Sequence, residues 1–197
     1  MERVSVIGAG TMGHGIAQVC AMAGYEVVLT DANETVLANG LARVEQNLTK
    51  GVERGKVQAS VRQATLERLR GGPLGEAAQA DLIIEAIPEK LDLKVSVFRV
   101  VEDVAPAHAI LATNTSSLSV SRIAAEMDRP DMVIGTHFFN PVHIMALLEV
   151  IVAEQTSPET LEAIRGFGAR IGKEVIVVQD APGFATSRLG VCLGMEA

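Results

Sequence analysis

Two ionisable residues stand near each other in a stretch that is otherwise mostly apolar. Residues 135–150 read GTHFFNPVHIMALLEV, with His137 before a Phe-Phe-Asn-Pro sequence and Glu149 inside the apolar run that follows. A carboxylate in a buried strand needs a partner, because an unpaired buried charge is costly. An imidazole is a suitable partner, since the carboxylate fixes its tautomer and favours its protonated form. Such a pair could take a proton from an alcohol while a hydride leaves the carbon.

Each residue of this pair also has a simpler interpretation when it is considered alone. His137 could be an ordinary hydrogen-bonded residue at a strand end, and Glu149 could point to solvent at a sheet edge. His143 is a rival base, but it lies beyond the Pro141 turn and therefore further from the strand end. The rest of the chain must decide between packing and catalysis.

A glycine-rich segment near the start of the chain predicts a dinucleotide site. The strand-like RVSVI is followed by GAGTMG and then by a helical pattern. Gly8 would allow a tight turn, Gly10 a close approach to the pyrophosphate, and Gly13 close packing of helix on strand. The N–H groups at the start of the helix would face the phosphates. The predicted cofactor-binding residues of this segment are Gly8, Gly10, Thr11, Met12 and Gly13.

Asp31 follows the next predicted strand, YEVVLT, where a dinucleotide fold places an acidic residue. Its carboxylate would accept hydrogen bonds from the adenosine ribose and repel a 2′-phosphate, so the sequence favours NAD over NADP. The alternative is that these glycines serve only an ordinary strand-to-helix turn. The spacing of the two strands, the helix and Asp31 favours the cofactor site.

Polar side chains follow three further predicted strands. DLIIEA leads to Glu89, with Lys94 on the next helix; AILA leads to Asn114 and Ser116; MVIG leads to His137 and Asn140. The carboxyl ends of parallel strands meet at one edge of a sheet, so we expect these residues to converge on the nicotinamide end of the cofactor. As simpler alternatives, Ser116 and Ser117 could cap the following helix, and Glu89 and Lys94 could form a surface pair.

The elements that must position these residues alternate between strand and helix. This alternation predicts an α/β fold of the Rossmann type, a doubly wound and mostly parallel sheet covered on both faces. The pattern is weak between residues 56 and 79, where we expect only a short strand near Leu66–Arg70. Around Gly183 the sequence DAPGF precedes a new helical pattern. We therefore predict a dinucleotide-binding domain over residues 1–183 and the first helix of an incomplete second domain over 184–197.

The overall composition excludes several classes of protein. The net charge of −7 argues against nucleic-acid binding, which requires a basic surface to contact the phosphates. Two cysteines, Cys20 and Cys192, are too few for a disulfide framework or for a set of metal ligands. The simplest interpretation is that the protein is in a reducing compartment. The start of the chain lacks the pattern of a signal peptide, and its apolar runs are shorter than the roughly 20 residues of a membrane span. We expect a soluble, cytoplasmic protein without a catalytic metal.

Several motifs together resemble one enzyme family over essentially the whole chain. These are VIGAGTMGHGIA, ADLIIEAIPE, TNTSSLS, GTHFFNPVHIMALLEVI and DAPGF. The chain resembles the NAD-binding domain of the L-3-hydroxyacyl-CoA dehydrogenases, of the 3-hydroxybutyryl-CoA kind. The resemblance implies reversible oxidation of a short-chain L-3-hydroxyacyl-CoA to the 3-ketoacyl-CoA with NAD. It also implies a helical second domain, which forms one wall of the substrate cleft, and a homodimer.

The same resemblance assigns roles to particular residues. It implies that His137 is the catalytic base and that Glu149 is its paired carboxylate. Ser116 matches the serine that hydrogen-bonds the substrate oxygen, and Asn140 belongs to the same polar cluster. It also implies that Glu89 and Lys94 lie near the nicotinamide and the ribose.

The chain departs from the family pattern at two positions. Ser187 stands where many members have an asparagine close to the substrate, and Ala146 stands where a lysine is usual.

Two other functions stay open at this point. A dehydrogenase of free 3-hydroxyacids would have a similar fold, although HFFNP argues against it. A dinucleotide-binding module without catalysis is the other alternative, because the substrate cleft would be incomplete.

Overall fold

The computed structural model describes residues 1–195, with side chains described through residue 190. Within these residues the strands are β1 (Arg3–Ile7), β2 (Glu26–Thr30), β3 (Leu69–Gly71), β4 (Leu82–Glu85), β5 (Ile110–Thr113), β6 (Val133–Phe138), β7 (Leu147–Val152) and β8 (Glu174–Gln179). The helices are α1 (Gly13–Met22), α2 (Glu34–Glu53), α3 (Ala59–Arg68), α4 (Leu74–Ala77), α5 (Leu91–Glu102), α6 (Val120–Ala124), α7 (Pro158–Arg170) and α8 (Thr186–Met195). A 3₁₀ turn, Pro130–Met132, precedes β6.

The strands form a single sheet in the order β3-β2-β1-β4-β5-β6-β7-β8. The central strands β4 and β5 are buried along their whole length, which explains why they are apolar up to their last residues, Glu85 and Thr113. Buried side chains form one cluster on each face of the sheet, so helices cover both sides. This architecture confirms the predicted Rossmann-type α/β fold.

Two strands, β7 and β8, run opposite to the other six. β7 pairs antiparallel with β6, whereas the remaining neighbours in the sheet are parallel. In this antiparallel register His137 lies directly opposite Glu149. The reversal of β7 therefore brings together two residues that are separated by a turn in sequence.

The segment between residues 56 and 79 differs from the prediction. The expected short strand near Leu66–Arg70 is present as β3 (Leu69–Gly71), but the residues before it are helix, since α3 occupies residues 59–68. The helix itself was not predicted, because Thr65 is the one fully buried residue of α3. A helix with such a small buried face leaves no apolar period in the sequence.

The chain turns sharply between β8 and α8. Gly183 and Phe184 both have positive φ angles, +75° and +46°. Before this turn, Asp180 accepts hydrogen bonds from the Ser119 hydroxyl at 2.7 Å and the Ser121 N–H at 2.8 Å. These contacts fix the start of the segment that leads into α8. A domain boundary near Gly183 remains a prediction.

Among the described residues, none of the helices combines the length and the apolar character that crossing a lipid bilayer would require.

Candidate active site

The three glycines of the loop between β1 and α1 differ in their surroundings. Gly8 has a φ angle of +99°, which favours glycine. A Cβ atom at Gly13 would lie 1.6 Å from the Gly8 carbonyl oxygen, so only glycine allows α1 to pack this closely. A Cβ atom at Gly10 would meet no protein atom within 4 Å. The space beside Gly10 is therefore open for a ligand rather than filled by packing.

Asp31 lies at the same edge, just after β2. Its Oδ2 accepts from the Ala9 N–H at 2.8 Å, and its Oδ1 accepts from the Asn33 N–H at 2.9 Å. Each carboxylate oxygen still has a free lone pair for a ribose hydroxyl. The half-buried negative charge would repel a 2′-phosphate, so the residues present fit NAD.

Two of the three glycines of this loop, Gly10 and Gly13, allow a matched test. Gly10→Ala should leave the free energy of unfolding nearly unchanged, because no protein atom is displaced, but it should weaken NADH binding about tenfold or more. Gly13→Ala should destabilise the fold itself by several kcal/mol, because its methyl group collides with backbone. Urea unfolding and NADH fluorescence titration measure the two effects. Equal loss of stability in both variants would contradict this interpretation of Gly10.

The His137–Glu149 pair is formed as predicted. The His137 Nδ1 atom lies 2.7 Å from Glu149 Oε2 across the β6–β7 pair. Glu149 is fully buried, and the His137 side chain is 8% exposed. The ring also packs near Phe139 and Phe184, with centroid distances of 4.5 and 6.0 Å. Because Nδ1 faces the carboxylate, Nε2 is the ring nitrogen left to face a substrate.

Glu149 has more partners than the sequence suggested. Its Oε1 accepts from the backbone N–H groups of Ala185 and Thr186 at 3.1 and 2.9 Å, and its Oε2 accepts from the Thr186 hydroxyl at 2.7 Å. Burial favours the neutral acid, but His137 and Thr186 outweigh it and hold the pKa of Glu149 below its usual value. The carboxylate is therefore ionised at neutral pH.

Glu89 organises the loop that carries Ser116. Its Oε1 accepts from the Thr115 hydroxyl at 2.5 Å and from the Ser116 and Ser117 N–H groups at 2.9 and 3.2 Å. Burial opposes ionisation, but these donors and Lys94 keep the pKa of Glu89 below its usual value. Ser116 itself is exposed and available to a ligand.

The alternative in which Ser116 and Ser117 cap the next helix is wrong. Ser119 is the N-cap of α6, and its hydroxyl oxygen accepts from the Arg122 N–H at 3.2 Å. The N–H groups of Ser116 and Ser117 are instead held by the Glu89 carboxylate. The loop is thus fixed by a side chain from another strand end.

Lys94 is buried, which corrects the expectation of a surface pair with Glu89. Its Nζ donates to Glu85 Oε1 at 2.7 Å and lies 3.4 Å from Glu89 Oε2, and its side chain has no exposed surface. Glu85 is equally buried and also accepts from the Thr113 hydroxyl at 2.8 Å. Because its ammonium group is enclosed, Lys94 in this conformation does not face a cofactor directly. It acts on the site through Glu89.

The other predicted site residues lie at the same edge of the sheet. Asn114 is buried, and its side-chain oxygen accepts from the Phe138 N–H at 2.9 Å, which ties β5 to the end of β6. Asn140 lies in the exposed turn after β6. The Ser187 hydroxyl donates to the Ser116 carbonyl at 3.4 Å, so these two predicted substrate residues are neighbours.

The remaining histidines occupy different environments. His143 is exposed in the turn after Pro141, as expected for a poorer candidate base. His14 is half-buried, with Nδ1 2.7 Å from the Gly10 carbonyl. His108 is exposed, and its Nε2 lies 3.0 Å from Asp81 Oδ1. Within the described part of the chain, His137 is the only one of the four histidines with a buried carboxylate partner.

The fold and the loop define a dinucleotide-binding protein of the Rossmann class. The sequence model described as "3-hydroxyacyl-CoA dehydrogenase, NAD binding domain" matches residues 3–181. The chain therefore belongs to the family of NAD-binding domains of the 3-hydroxyacyl-CoA dehydrogenases, which confirms the family resemblance and NAD as the cofactor.

Named relatives agree with this family. The chain is 40% identical over 190 residues to the probable 3-hydroxybutyryl-CoA dehydrogenase of Bacillus subtilis and to the 3-hydroxybutyryl-CoA dehydrogenase of Bradyrhizobium diazoefficiens. These alignments cover 96% of this chain and 66% and 65% of the relatives. The crystal structure of (S)-3-hydroxybutyryl-CoA dehydrogenase from Ralstonia eutropha superimposes with a TM-score of 0.95 at 36% identity, covering 98% of this chain and 69% of that one. The chain thus spans about two thirds of the length of these relatives.

Proposed function

We propose that this chain carries out the NAD-dependent, reversible oxidation of a short-chain L-3-hydroxyacyl-CoA to the 3-ketoacyl-CoA. The observation that supports it most is the buried His137–Glu149 pair, with Nδ1 and Oε2 2.7 Å apart at the edge of the sheet that carries the glycine loop. Relatives named as 3-hydroxybutyryl-CoA dehydrogenases support the substrate class.

The residues of the loop and of β2 would hold the cofactor. NAD, when bound, supplies the acceptor for the hydride from the substrate carbon. The backbone around Gly10 and the N-terminal turn of α1 would face the pyrophosphate, and Asp31 would accept from the ribose. Glu89, positioned by Lys94, would lie toward the nicotinamide end, as its place after β4 suggests.

His137 would act as the general base. The ionised Glu149 accepts from Nδ1–H, which leaves the lone pair of Nε2 free to take the proton of the 3-hydroxyl group. The same carboxylate stabilises the imidazolium that forms. In the reverse direction the imidazolium returns this proton to the oxygen of the 3-keto group. The buried position of Glu149 strengthens its interaction with the ring, because little water screens the pair.

Ser116, Asn140 and Ser187 would surround the substrate. The exposed hydroxyl of Ser116 would donate to the substrate oxygen, and Glu89 fixes the loop that carries it. Ser187 lies beside Ser116 and would contact the thioester side of the substrate. The shorter reach of a serine, compared with an asparagine, would change the fit of the acyl chain.

The proposal is tested by following NADH oxidation at 340 nm with acetoacetyl-CoA, together with NADH titration of the same preparation. We expect turnover with acetoacetyl-CoA and none with free acetoacetate. Turnover of the free acid would favour a dehydrogenase of free 3-hydroxyacids. NADH binding without turnover of either substrate would instead identify a cofactor-binding module without catalysis.

A further inference from the structure

The turn before α8 brings a hydroxyl group onto the carboxylate of the proposed catalytic pair. The Thr186 Oγ1 donates to Glu149 Oε2 at 2.7 Å, and His137 Nδ1 lies 2.7 Å from the same oxygen. This contact belongs to the side chain of Thr186 and is separate from its backbone N–H, which donates to Oε1 at 2.9 Å. Any residue other than proline could supply the backbone contact, but only a side chain with a donor could supply the second one.

The four donors fill the hydrogen-bonding capacity of Glu149. A carboxylate offers about four lone-pair positions, two on each oxygen. His137 and the Thr186 hydroxyl use those of Oε2, and the N–H groups of Ala185 and Thr186 use those of Oε1. Since Glu149 is fully buried, water has no access to replace a missing donor.

The turn before α8 determines where the backbone of Thr186 lies relative to Glu149. Gly183 and Phe184 hold positive φ angles, and the Phe184 side chain is buried near the His137 ring. Asp180 fixes the other end of the same segment through Ser119. The backbone that carries this hydroxyl is therefore fixed by contacts on either side of the turn.

We infer that the Thr186 hydroxyl is a positioning group that controls how strongly Glu149 holds a proton on His137. Its hydrogen bond disperses negative charge on Oε2, the oxygen that interacts with the imidazolium. Without the hydroxyl, Oε2 would attract the imidazolium more strongly, and the ring would stay protonated to higher pH. This inference rests on the proposed function only for its kinetic consequence, because the contact itself is independent of turnover.

The test compares the 197-residue chain with its Thr186→Val and Thr186→Ser variants. In a ¹H–¹³C NMR titration, the signal of His137 among the four histidines is identified by its loss in His137→Gln. We expect Thr186→Val to raise the titration midpoint of His137 by about half a pH unit, and Thr186→Ser, which keeps the hydroxyl, to leave it unchanged. Thr186→Ala should shift it in the same direction as valine.

A kinetic measurement gives the matching readout. Reduction of acetoacetyl-CoA requires the protonated ring. In Thr186→Val the decrease of kcat/KM at alkaline pH should therefore occur at a higher pH, by the same amount as the NMR midpoint. A midpoint equal to that of the parent chain in both the valine and alanine variants, or an equal shift in the serine variant, would overturn the inference. If the parent chain showed no turnover but Thr186→Val still shifted the His137 midpoint, the proposed function would be contradicted and the inference about Thr186 would stand.

Discussion

Replacing His137 with glutamine is expected to lower kcat/KM for acetoacetyl-CoA by about 10²- to 10⁴-fold, the usual contribution of a positioned general acid or base. NADH affinity should stay within about twofold, because the glycine loop and Asp31 are untouched. Glutamine keeps the approximate length of the side chain but cannot carry the proton. Steady-state rates at 340 nm and NADH fluorescence titration measure the two quantities.

His108→Gln is the matched control for this prediction. His108 is exposed, and its partner Asp81 precedes β4 at the other end of the strand from the site. We expect kcat/KM to be unchanged in this variant. If His137→Gln retained more than a tenth of the parent activity, the base would lie elsewhere, and His143 would be the next residue to replace.

Replacing Lys94 with methionine is expected to lower the free energy of unfolding at neutral pH by about 3–5 kcal/mol, because it leaves the fully buried Glu85 without its cation. Burial already raises the pKa of Glu85 despite the opposing effects of Lys94 and Thr113. In the variant the folded protein would bind a proton at Glu85 that the unfolded chain releases above about pH 4.3. The loss of stability should therefore grow as the pH rises above that value.

Two further variants separate the buried charge from the loss of packing. Lys94→Met combined with Glu85→Gln removes both charges and should recover more than half of the lost stability. Lys90→Met, on the exposed residue before α5, should change the free energy of unfolding by less than about 0.5 kcal/mol. Urea unfolding followed by circular dichroism measures all three variants. A loss as small for Lys94→Met as for Lys90→Met would contradict the buried pair.

The sequence predicted the fold where apolar patterns were strong. The continuous apolar runs of β4 and β5, and the apolar positions along α2 and α7, gave the central sheet and its main helices. The pairing of His137 with Glu149 was also predictable, because a lone acid in an apolar strand requires a partner. The same reasoning holds for Glu85 in DLIIEA, whose buried carboxylate also requires a partner and finds it in Lys94.

Other features of the site could not be predicted from local pattern. The hydroxyl of Thr186 reaches Glu149 only because of the turn at Gly183 and Phe184, and a positive φ angle at a phenylalanine has no signal in the sequence. The helix α3 was missed because tertiary contacts, rather than an apolar face, hold it in place. Both features depend on contacts between residues that are distant in sequence.

The reversed direction of β7 makes the contact between His137 and Glu149 depend on the alignment of a single strand pair. The register of β6 and β7 places His137 opposite Glu149, and a slip of one residue in β7 would turn Glu149 to the other face of the sheet. The turn at residues 139–146 joins these strands and carries Phe139, whose ring packs near His137. A change in the length of this turn would therefore be expected to shift the register and to separate His137 from Glu149.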